Sequence, residues 1–502
     1  MSPDYDLVVI GGGINGAGIA RDAAGRGLKT LLCEKGDFGQ GTSSRSGKLV
    51  HGGLRYLEYY EFRLVREALI EREVLLRAAP HIVWPMRFVL PHSPEQRPAW
   101  MVRLGLFLYD HLGGRNLLPA SRSLDLRRAP EGAPIRPTFP SGFEYSDCWV
   151  DDARLVILNV CDAADRGATI RVRTAATSAR RADGLWSVTL RHDDGPVETV
   201  TARILVNAAG PWVADIMQGV VGLNTPAKVR LVKGSHIIVR KFWDGPQAYL
   251  LQNDDKRVIF VNPYEDGSYE TGLCLIGTTD IPYEGDADAV SVDASERHYL
   301  LRVVNRYMNT QLTVDDIVSE FAGIRPLYDD QAANPSAVTR DYVFDIDHRP
   351  GDAPLLSVFG GKITTYRKLA EHALDKLTPF IATAGPVWTD RAPLPGGDMP
   401  DADFDRFLRE LSRDYQFLPA SLARHYARLY GTRARTLLGT ADAMASLGRH
   451  FGGLLYEIEA RYLRHTEWAR RADDILSRRT KHGLHLTQAE QADFSVWMGQ
   501  QS

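Results

Sequence analysis

Asp6-Leu7-Val8-Val9-Ile10-Gly11-Gly12-Gly13-Ile14-Asn15-Gly16 decides how the rest of the chain is read. Its apolar run predicts a buried strand that breaks into Gly11-x-Gly13-x-x-Gly16, and Ile14 to Gly25 then predicts a helix. Glycines suit such a turn because only they bend so tightly and let a pyrophosphate reach the backbone N–H groups at a helix N-terminus. Lys29 to Cys33 predicts the next strand, and Glu34 follows it. An acidic residue about 20 residues past the glycines accepts hydrogen bonds from an adenosine ribose. Strand, glycines, helix, strand and acid in that order point to a bound dinucleotide.

Working outward, 502 residues leave room for two or three domains, and a content of 44% hydrophobic and 25% charged residues predicts a soluble chain with a large core. A net charge of -3 argues against nucleic acid as a partner. The cysteines Cys33, Cys148, Cys161 and Cys274 form no CxxC pair, which suits a reducing compartment, and no metal motif is present. No run of about 18 apolar residues exists to span a bilayer, and the chain enters its first strand without a signal-peptide pattern. A cytoplasmic location is therefore expected.

The stretch Gly36 to Tyr56 is long, polar and glycine-rich, with hydroxyls, cations and His51, a composition suited to lining a ligand. Glu61 to Ala79 predicts an amphipathic packing helix ended by Pro80. Residues 81–150 are rich in proline and aromatics. Within them, Arg97 to Tyr109 is apolar almost all round, which fits either a helix lying in a lipid interface or one buried between domains. Asp151 to Gly167 predicts a helix, Leu185 to Leu190 and Val197 to Leu205 predict strands, and the second runs into Asn207-Ala208-Ala209-Gly210-Pro211-Trp212. Residues 225–345 look mostly strand-like, with candidates at His236–Arg240, Val258–Asn262 and Leu273–Gly277, and predict an inserted antiparallel sheet. Arg325 and Arg340 each stand in a small or apolar context, where a guanidinium meets either an anion or a structural carboxylate. Leu355 to Lys362 predicts another strand ending in glycines, and Ile363 to Leu377 the helix after it, so Lys362 and Thr364 sit at a second helix N-terminus. Residues 401–502 read as a separate arginine-rich helical domain.

Taken together, TSS-x-S-x-KLVHGGLRYLE, MRFVLPH, GFEYSDCWVDDARL, NAAGPW, VKGSH, IGTTD, AGIRPL, TRDY and FGGKITTYRKLAEHAL occur here in one order. In this the chain closely resembles the FAD-dependent respiratory sn-glycerol-3-phosphate dehydrogenases of bacterial type. The likeness resumes in ARHYARLYG and RRADDILSRRTK. The resemblance implies an α/β fold. A glutathione-reductase-like, Rossmann-type FAD domain would comprise 1–80, 150–224 and 346–385. An inserted antiparallel-sheet substrate domain would comprise 81–149 and 225–345, and a C-terminal helical domain 398–502. It also implies oxidation of glycerol 3-phosphate to dihydroxyacetone phosphate, with electrons passing through FAD to a membrane quinone. It implies a homodimer held peripherally on the cytoplasmic face of the inner membrane.

By the same resemblance, Gly11, Gly13, Ile14, Asn15 and Gly16 hold the pyrophosphate and Glu34 the ribose. Thr42, Ser43, Lys48, Leu49 and Gly52 lie along the ribityl chain and flavin. Gly210 and Trp212 flank the cofactor, and Gly361, Lys362 and Thr364 face the isoalloxazine edge. Arg55, Tyr56, His236, Arg325, Arg340 and Lys362 line the substrate site. Two positions depart from the pattern: Gly47 stands where a second serine is usual, and Ala209 where threonine is common.

The chemistry transfers hydride from C2 to flavin N5 and a proton from the C2 hydroxyl to a base. Arginines suit the substrate phosphate because their planar donors bind two oxygens at once, so Arg325 and Arg340 are the expected clamps, with Arg55 and Lys362 nearer the reacting carbon. His51 and His236 are the candidate bases, and an arginine near the alcohol is the alternative stabiliser of an alkoxide. An oxidase of the same superfamily, using oxygen, is the main competing enzyme, and another superfamily flavoenzyme a further one.

Overall fold

The structure is a computed structural model that describes residues 2–114, 117–223, 229–255, 257–264, 267–270, 272–328, 341–381 and 383–501. The chain divides into two compact units, one of residues 1–44, 151–232 and 324–502, the other of 45–150 and 233–323.

In the first unit the opening strand, Tyr5–Ile10, lies inside a sheet, parallel to Val197–Asn207 on one side and Thr30–Cys33 on the other. Leu7, Val8 and Val9 are fully buried, as an unbroken apolar run in a parallel sheet covered on both faces must be. Leu355–Phe359 adds a further parallel strand and Val343–Asp347 an antiparallel edge, while Thr169–Arg171 closes the other side. Helix Ile14–Gly25 packs against helices Asp152–Asp165 and Tyr366–Leu377. Its small residues permit the approach: a Cβ on Gly18 would stand 2.8 Å from the Tyr366 ring. Asp151 caps Asp152–Asp165, its carboxylate accepting from Arg154 N.

The helices Phe404–Asp414, Ala420–Tyr430, Glu457–Thr466 and Gln488–Gln500 enclose their own core of Phe407, Leu411, Tyr426, Leu463 and Phe494. The expected C-terminal domain thus has its own core, yet residues 398–502 fall into one unit with the dinucleotide fold, because buried ion pairs join them to it.

In that core Glu459 accepts hydrogen bonds from His425 Nε2 (2.8 Å), Tyr430 Oη (2.7 Å) and His482 Nε2 (3.0 Å). Burial opposes its charge, and the two imidazoles outweigh it, holding the carboxyl well below the usual range. Burial pushes the His482 imidazole down to about 4 despite the pull of Glu459. Both groups bind protons more readily unfolded than folded, so their stabilisation is complete at neutral pH and is lost in acid. For His482 the loss runs from about pH 6.5 down to about 4, and reaches about 2 kcal/mol by pH 5. Urea midpoints at pH 7 and pH 5 are expected to differ by that much more in the native chain than in His482→Gln. Equal pH dependence in the two would refute the assignment.

The second unit is built on a mostly antiparallel sheet, in which Ala248–Gln252 pairs with Val83–His92 in parallel. Its longest pair, Val83–His92 with Ser141–Val150, runs in register from Val83↔Val150 to His92↔Ser141. Val229–Arg240, Ala248–Gln252, Val258–Pro263 and Leu273–Gly277 continue the sheet, as expected of the inserted domain. Two features differ from expectation. Residues 45–80 fall here, not with the dinucleotide fold, because Leu49 and Val50 pair with Trp149 and Cys148 and because Arg72 is buried against Asp147. A helix, Ala294–Tyr307, also interrupts the strand-rich stretch, capped by Asp293 and Glu296 and packing Leu300, Leu301 and Val304 against Ile237, Val239 and Ile276.

Helix Ala99–Leu112 is buried along one side only. Leu106 and Tyr109 point inward and are buried, while Trp100 (66% exposed), Leu104 (50%) and Phe107 (51%) stand outside. The four cysteines are free and buried. Among the described residues, no helix is long and apolar enough to cross a membrane.

Candidate active site

The glycine turn in the first unit is fixed by its neighbours. Gly11, at φ +109°, could not carry a Cβ, which would lie 2.6 Å from the Ala208 carbonyl oxygen. A Cβ on Gly16 would be 1.9 Å from the Gly11 carbonyl oxygen. Gly12 donates its N–H to Glu34 Oε2 (2.6 Å), and Gly36 N–H donates to Glu34 Oε1 (2.7 Å). Burial raises the Glu34 carboxyl, and these two N–H donors oppose that rise. Four lone-pair sites on the carboxylate leave room for ribose hydroxyls besides. At the start of Ile14–Gly25, Gly13 provides no side-chain cap and the first turn holds no acidic residue, which is the arrangement an anion needs. Ser43 Oγ accepts from Ile14 N (3.0 Å), and Thr42 Oγ1 donates to the Ile324 carbonyl (2.5 Å).

A second glycine turn meets the first at Asn15. Gly360 and Gly361 have φ of +77° and +99°, a region that favours glycine. Asn15 Nδ2 donates to the Gly360 carbonyl (3.0 Å), while its buried Oδ1 has no protein partner. Gly210 (φ +59°) faces open space, and the Trp212 ring lies under Lys35 Nζ (4.2 Å) and beside Gly41, where a Cβ would be 3.1 Å away. Glycines that no Cβ could replace, a helix N-terminus without acid and an orphaned Asn15 Oδ1 fit a dinucleotide with polar oxygens along its length.

Lys362 precedes the short turn Ile363–Thr365, in which Thr364 is buried, and helix Tyr366–Leu377 continues it. Arg325 lies half-buried on strand Ile317–Tyr328. Its neighbour Pro326 has its carbonyl oxygen 3.6 Å from the position of a Cβ on Gly360, so the strand that carries Arg325 runs beside the turn that precedes Lys362. Arg340 lies outside the described residues.

The second unit gathers the other expected residues on its sheet. His236, Gly277 and Phe260 are opposed across three adjacent strands. His236 is buried and stacks on Phe321, with centroids 4.9 Å apart, and Lys48 Nζ lies 5.0 Å from the same ring. His51 meets Phe260 edge-on at 6.1 Å. A Cβ on Gly47 would stand 3.6 Å from His236 Nε2, so the position that carries glycine in place of the usual serine lies in contact range of the imidazole. Gly52 N–H donates to Tyr109 Oη (2.7 Å), which donates in turn to Asp147, a carboxyl that burial pushes up to about 6. Tyr56 packs its ring on Gly53, at the start of the short helix Leu54–Tyr59 that also carries Arg55. Phe321, Phe260 and Asn262, whose Nδ2 donates to the Gly47 carbonyl (3.5 Å), escaped the sequence reading, because the register that aligns them is not visible in one chain.

Strand, glycine turn, helix and acid define a flavin-type dinucleotide fold. Residues 6–367 match the family described as FAD dependent oxidoreductase, and 387–496 match the C-terminal domain of alpha-glycerophosphate oxidase. The chain is 62% identical over 493 residues to a D-erythritol 1-phosphate dehydrogenase of Brucella abortus, covering 98% of this chain and 97% of the relative. It is 54% identical over 494 residues to the aerobic glycerol-3-phosphate dehydrogenase of Escherichia coli, covering 98% and 97%. A glycerol-3-phosphate dehydrogenase from Bacillus halodurans, solved with FAD, superposes with a TM-score of 0.75 at 28% identity, covering 99% of this chain and 94% of that one. The chain belongs to the FAD-dependent oxidoreductases, and within them to the glycerol-3-phosphate dehydrogenase type. FAD is its cofactor.

Proposed function

We propose that the chain oxidises the secondary alcohol of a short polyol phosphate, converting sn-glycerol 3-phosphate to dihydroxyacetone phosphate and passing the electrons to a membrane quinone. The observation that carries this reading is that the strand bearing Arg325 runs beside the Gly360–Gly361 turn that precedes Lys362; cations suit a phosphate dianion and a developing alkoxide. Bound FAD supplies the hydride acceptor. Arg325, with Arg340 and Arg55, is assigned to the phosphate, and Lys362 to the end nearer the reacting carbon. His236, with its ring fixed against Phe321, takes the alcohol proton, with His51 as the other candidate base. Gly11, Gly13, Gly16, Glu34, Asn15, Ser43, Trp212 and Gly361 are assigned to FAD.

A second substrate, D-erythritol 1-phosphate, is favoured by the 62% identical relative of that name. Mixing oxygen-free holoenzyme with each phosphate ester decides between them. The true substrate is expected to bleach the flavin at least tenfold more efficiently than the other, with glycerol and erythritol inert. Failure of both esters would overturn the reading. Adding a quinone, then oxygen, to the bleached enzyme separates a dehydrogenase from an oxidase.

A quinone acceptor places the chain at a membrane surface, on the cytoplasmic face of the inner membrane. Trp100, Leu104 and Phe107 form the exposed apolar face that serves as anchor. Leu104→Glu with Phe107→Glu is expected to release the protein from anionic vesicles while activity toward a soluble dye persists. Unchanged vesicle binding would refute this anchor. A homodimer is proposed on the resemblance alone.

A further inference from the structure

The loop after Glu34 is held from behind by the C-terminal domain. Asp37 is completely buried. Its Oδ2 accepts from Arg478 Nε (2.6 Å) and Arg479 Nη1 (2.6 Å), and its Oδ1 from Arg479 Nη2 (2.8 Å). Arg479 is itself fully buried and spends its remaining donors on the Glu467 carbonyl, through Nε (3.2 Å) and Nη2 (2.7 Å). Arg478 is anchored further by Asp473 and Asp474, each at 2.7 Å. Beside Asp37, the buried Phe38 meets Trp468 edge-on at 5.9 Å. Two rings and three buried charged side chains thus join residues 467–479 to residues 37–38.

The far side of that loop is the FAD turn. A Cβ on Gly12 would lie 2.4 Å from the Phe38 ring and 2.8 Å from Glu34 Cβ, so Gly12 is sandwiched between them. Gly39 N–H donates to the Gly12 carbonyl (3.0 Å), and Gly12 N–H donates to Glu34 (2.6 Å). The shape of the glycine turn is therefore set by residues 34–39, and their position is set by Asp37. Removing Arg479 would leave the Asp37 carboxylate buried with two of its three arginine donors gone, and the loop would have to shift toward water.

We propose that Asp37, Arg478 and Arg479 form a latch through which the C-terminal helical domain sets the FAD affinity of the glycine turn. They are positioning residues, because none contacts the reacting atoms. The latch explains why the RRADDILSRRTK segment, about 440 residues from Asp37, belongs to the same working unit. A domain distant in sequence contributes to cofactor retention by geometry alone.

The test dilutes holoenzyme and follows the rise of free-flavin fluorescence, which gives the FAD dissociation constant without any turnover. Arg479→Met is expected to weaken FAD binding at least tenfold, Arg479→Lys to fall between it and the native chain, and Asp37→Asn to resemble Arg479→Lys. Phe494→Leu lowers the stability of the same C-terminal core without touching Asp37, and is expected to keep native FAD affinity below its unfolding temperature. Should Arg479→Met fail to fold, Asp37→Asn and Arg479→Lys, both near in volume to the native residues, carry the measurement. FAD affinity within twofold of native in the latch variants, or an equal loss in Phe494→Leu, would overturn the proposal.

Discussion

Gly16→Ala is expected to abolish FAD loading. The added Cβ would lie 1.9 Å from the Gly11 carbonyl oxygen and 3.1 Å from its carbon, both backbone atoms. Neither can retreat. Gly11 N–H is tied to the Cys33 carbonyl (2.9 Å), and Ala208 N–H to the Ile10 carbonyl (2.9 Å), so both neighbouring strands grip the turn. Overpacking that side chains relieve costs about 1–3 kcal/mol. Here the only relief is to move helix Ile14–Gly25 off the sheet, which opens the turn that faces the pyrophosphate. Flavin absorbance per protein in purified Gly16→Ala should fall more than tenfold, with a lowered thermal midpoint. Gly105→Ala and Gly499→Ala are the controls. Each lies within a helix, and a Cβ there meets nothing within 4 Å. Both should keep native FAD content and gain about 0.5–1 kcal/mol of stability through lost chain entropy. Full FAD content in Gly16→Ala would contradict the close approach at Gly11.

What was legible in the sequence divides along a physical line. The strand-turn-helix at Asp6 to Gly25 is local: an apolar run, three glycines and small helix residues each state their own conformation, and helix Ile14–Gly25 lies where the pattern predicts it. Leu273–Gly277 likewise ends at the glycine that ends its apolar run. The strands Val83–His92 and Ser141–Val150 were missed because Pro85, Pro91 and a nearly continuous apolar run mask the first, while the buried Glu144, Ser146 and Asp147 break the alternation in the second. Helix Ala294–Tyr307 did carry a signal, the Asp293-x-x-Glu296 capping box before Leu300, Leu301 and Val304, but it sat within a run of strands. In the candidate site, Glu34 and Lys362 were named from position after a strand or glycine turn, and Ser43 from the family resemblance. The alignment of His236 with Phe260, and the grip of Arg479 on Asp37, depend on pairings across the chain that no local pattern encodes.

Glu467→Ala is expected to cost the most stability of any single change considered, about 3–5 kcal/mol. Arg154 is fully buried on helix Asp152–Asp165, and Glu467, 2% exposed, follows helix Glu457–Thr466. Their contact is bidentate, Nη1 to Oε2 and Nη2 to Oε1, the latter at 2.9 Å. The guanidinium also donates to the Leu429 carbonyl through Nε (3.2 Å) and Nη2 (3.0 Å) and lies 5.1 Å from the Tyr430 ring centroid. Removing the carboxylate leaves a cation in a dry site with only a carbonyl and a ring face to answer it. Removing both charges is a different matter. Arg154→Leu with Glu467→Leu takes away the desolvation cost along with the attraction, so the double variant should be more stable than either single one. Urea unfolding of the four proteins, each loaded with FAD, should therefore give a coupling of at least 2 kcal/mol. Additive losses would mean that the pair is weakened by solvent that the geometry excludes. The size of the coupling also bears on the cofactor fold, because the backbone carbonyl of Glu467 is the one that Arg479 grips. A helix of the dinucleotide sheet and the arginine behind the glycine turn thus meet on one buried residue.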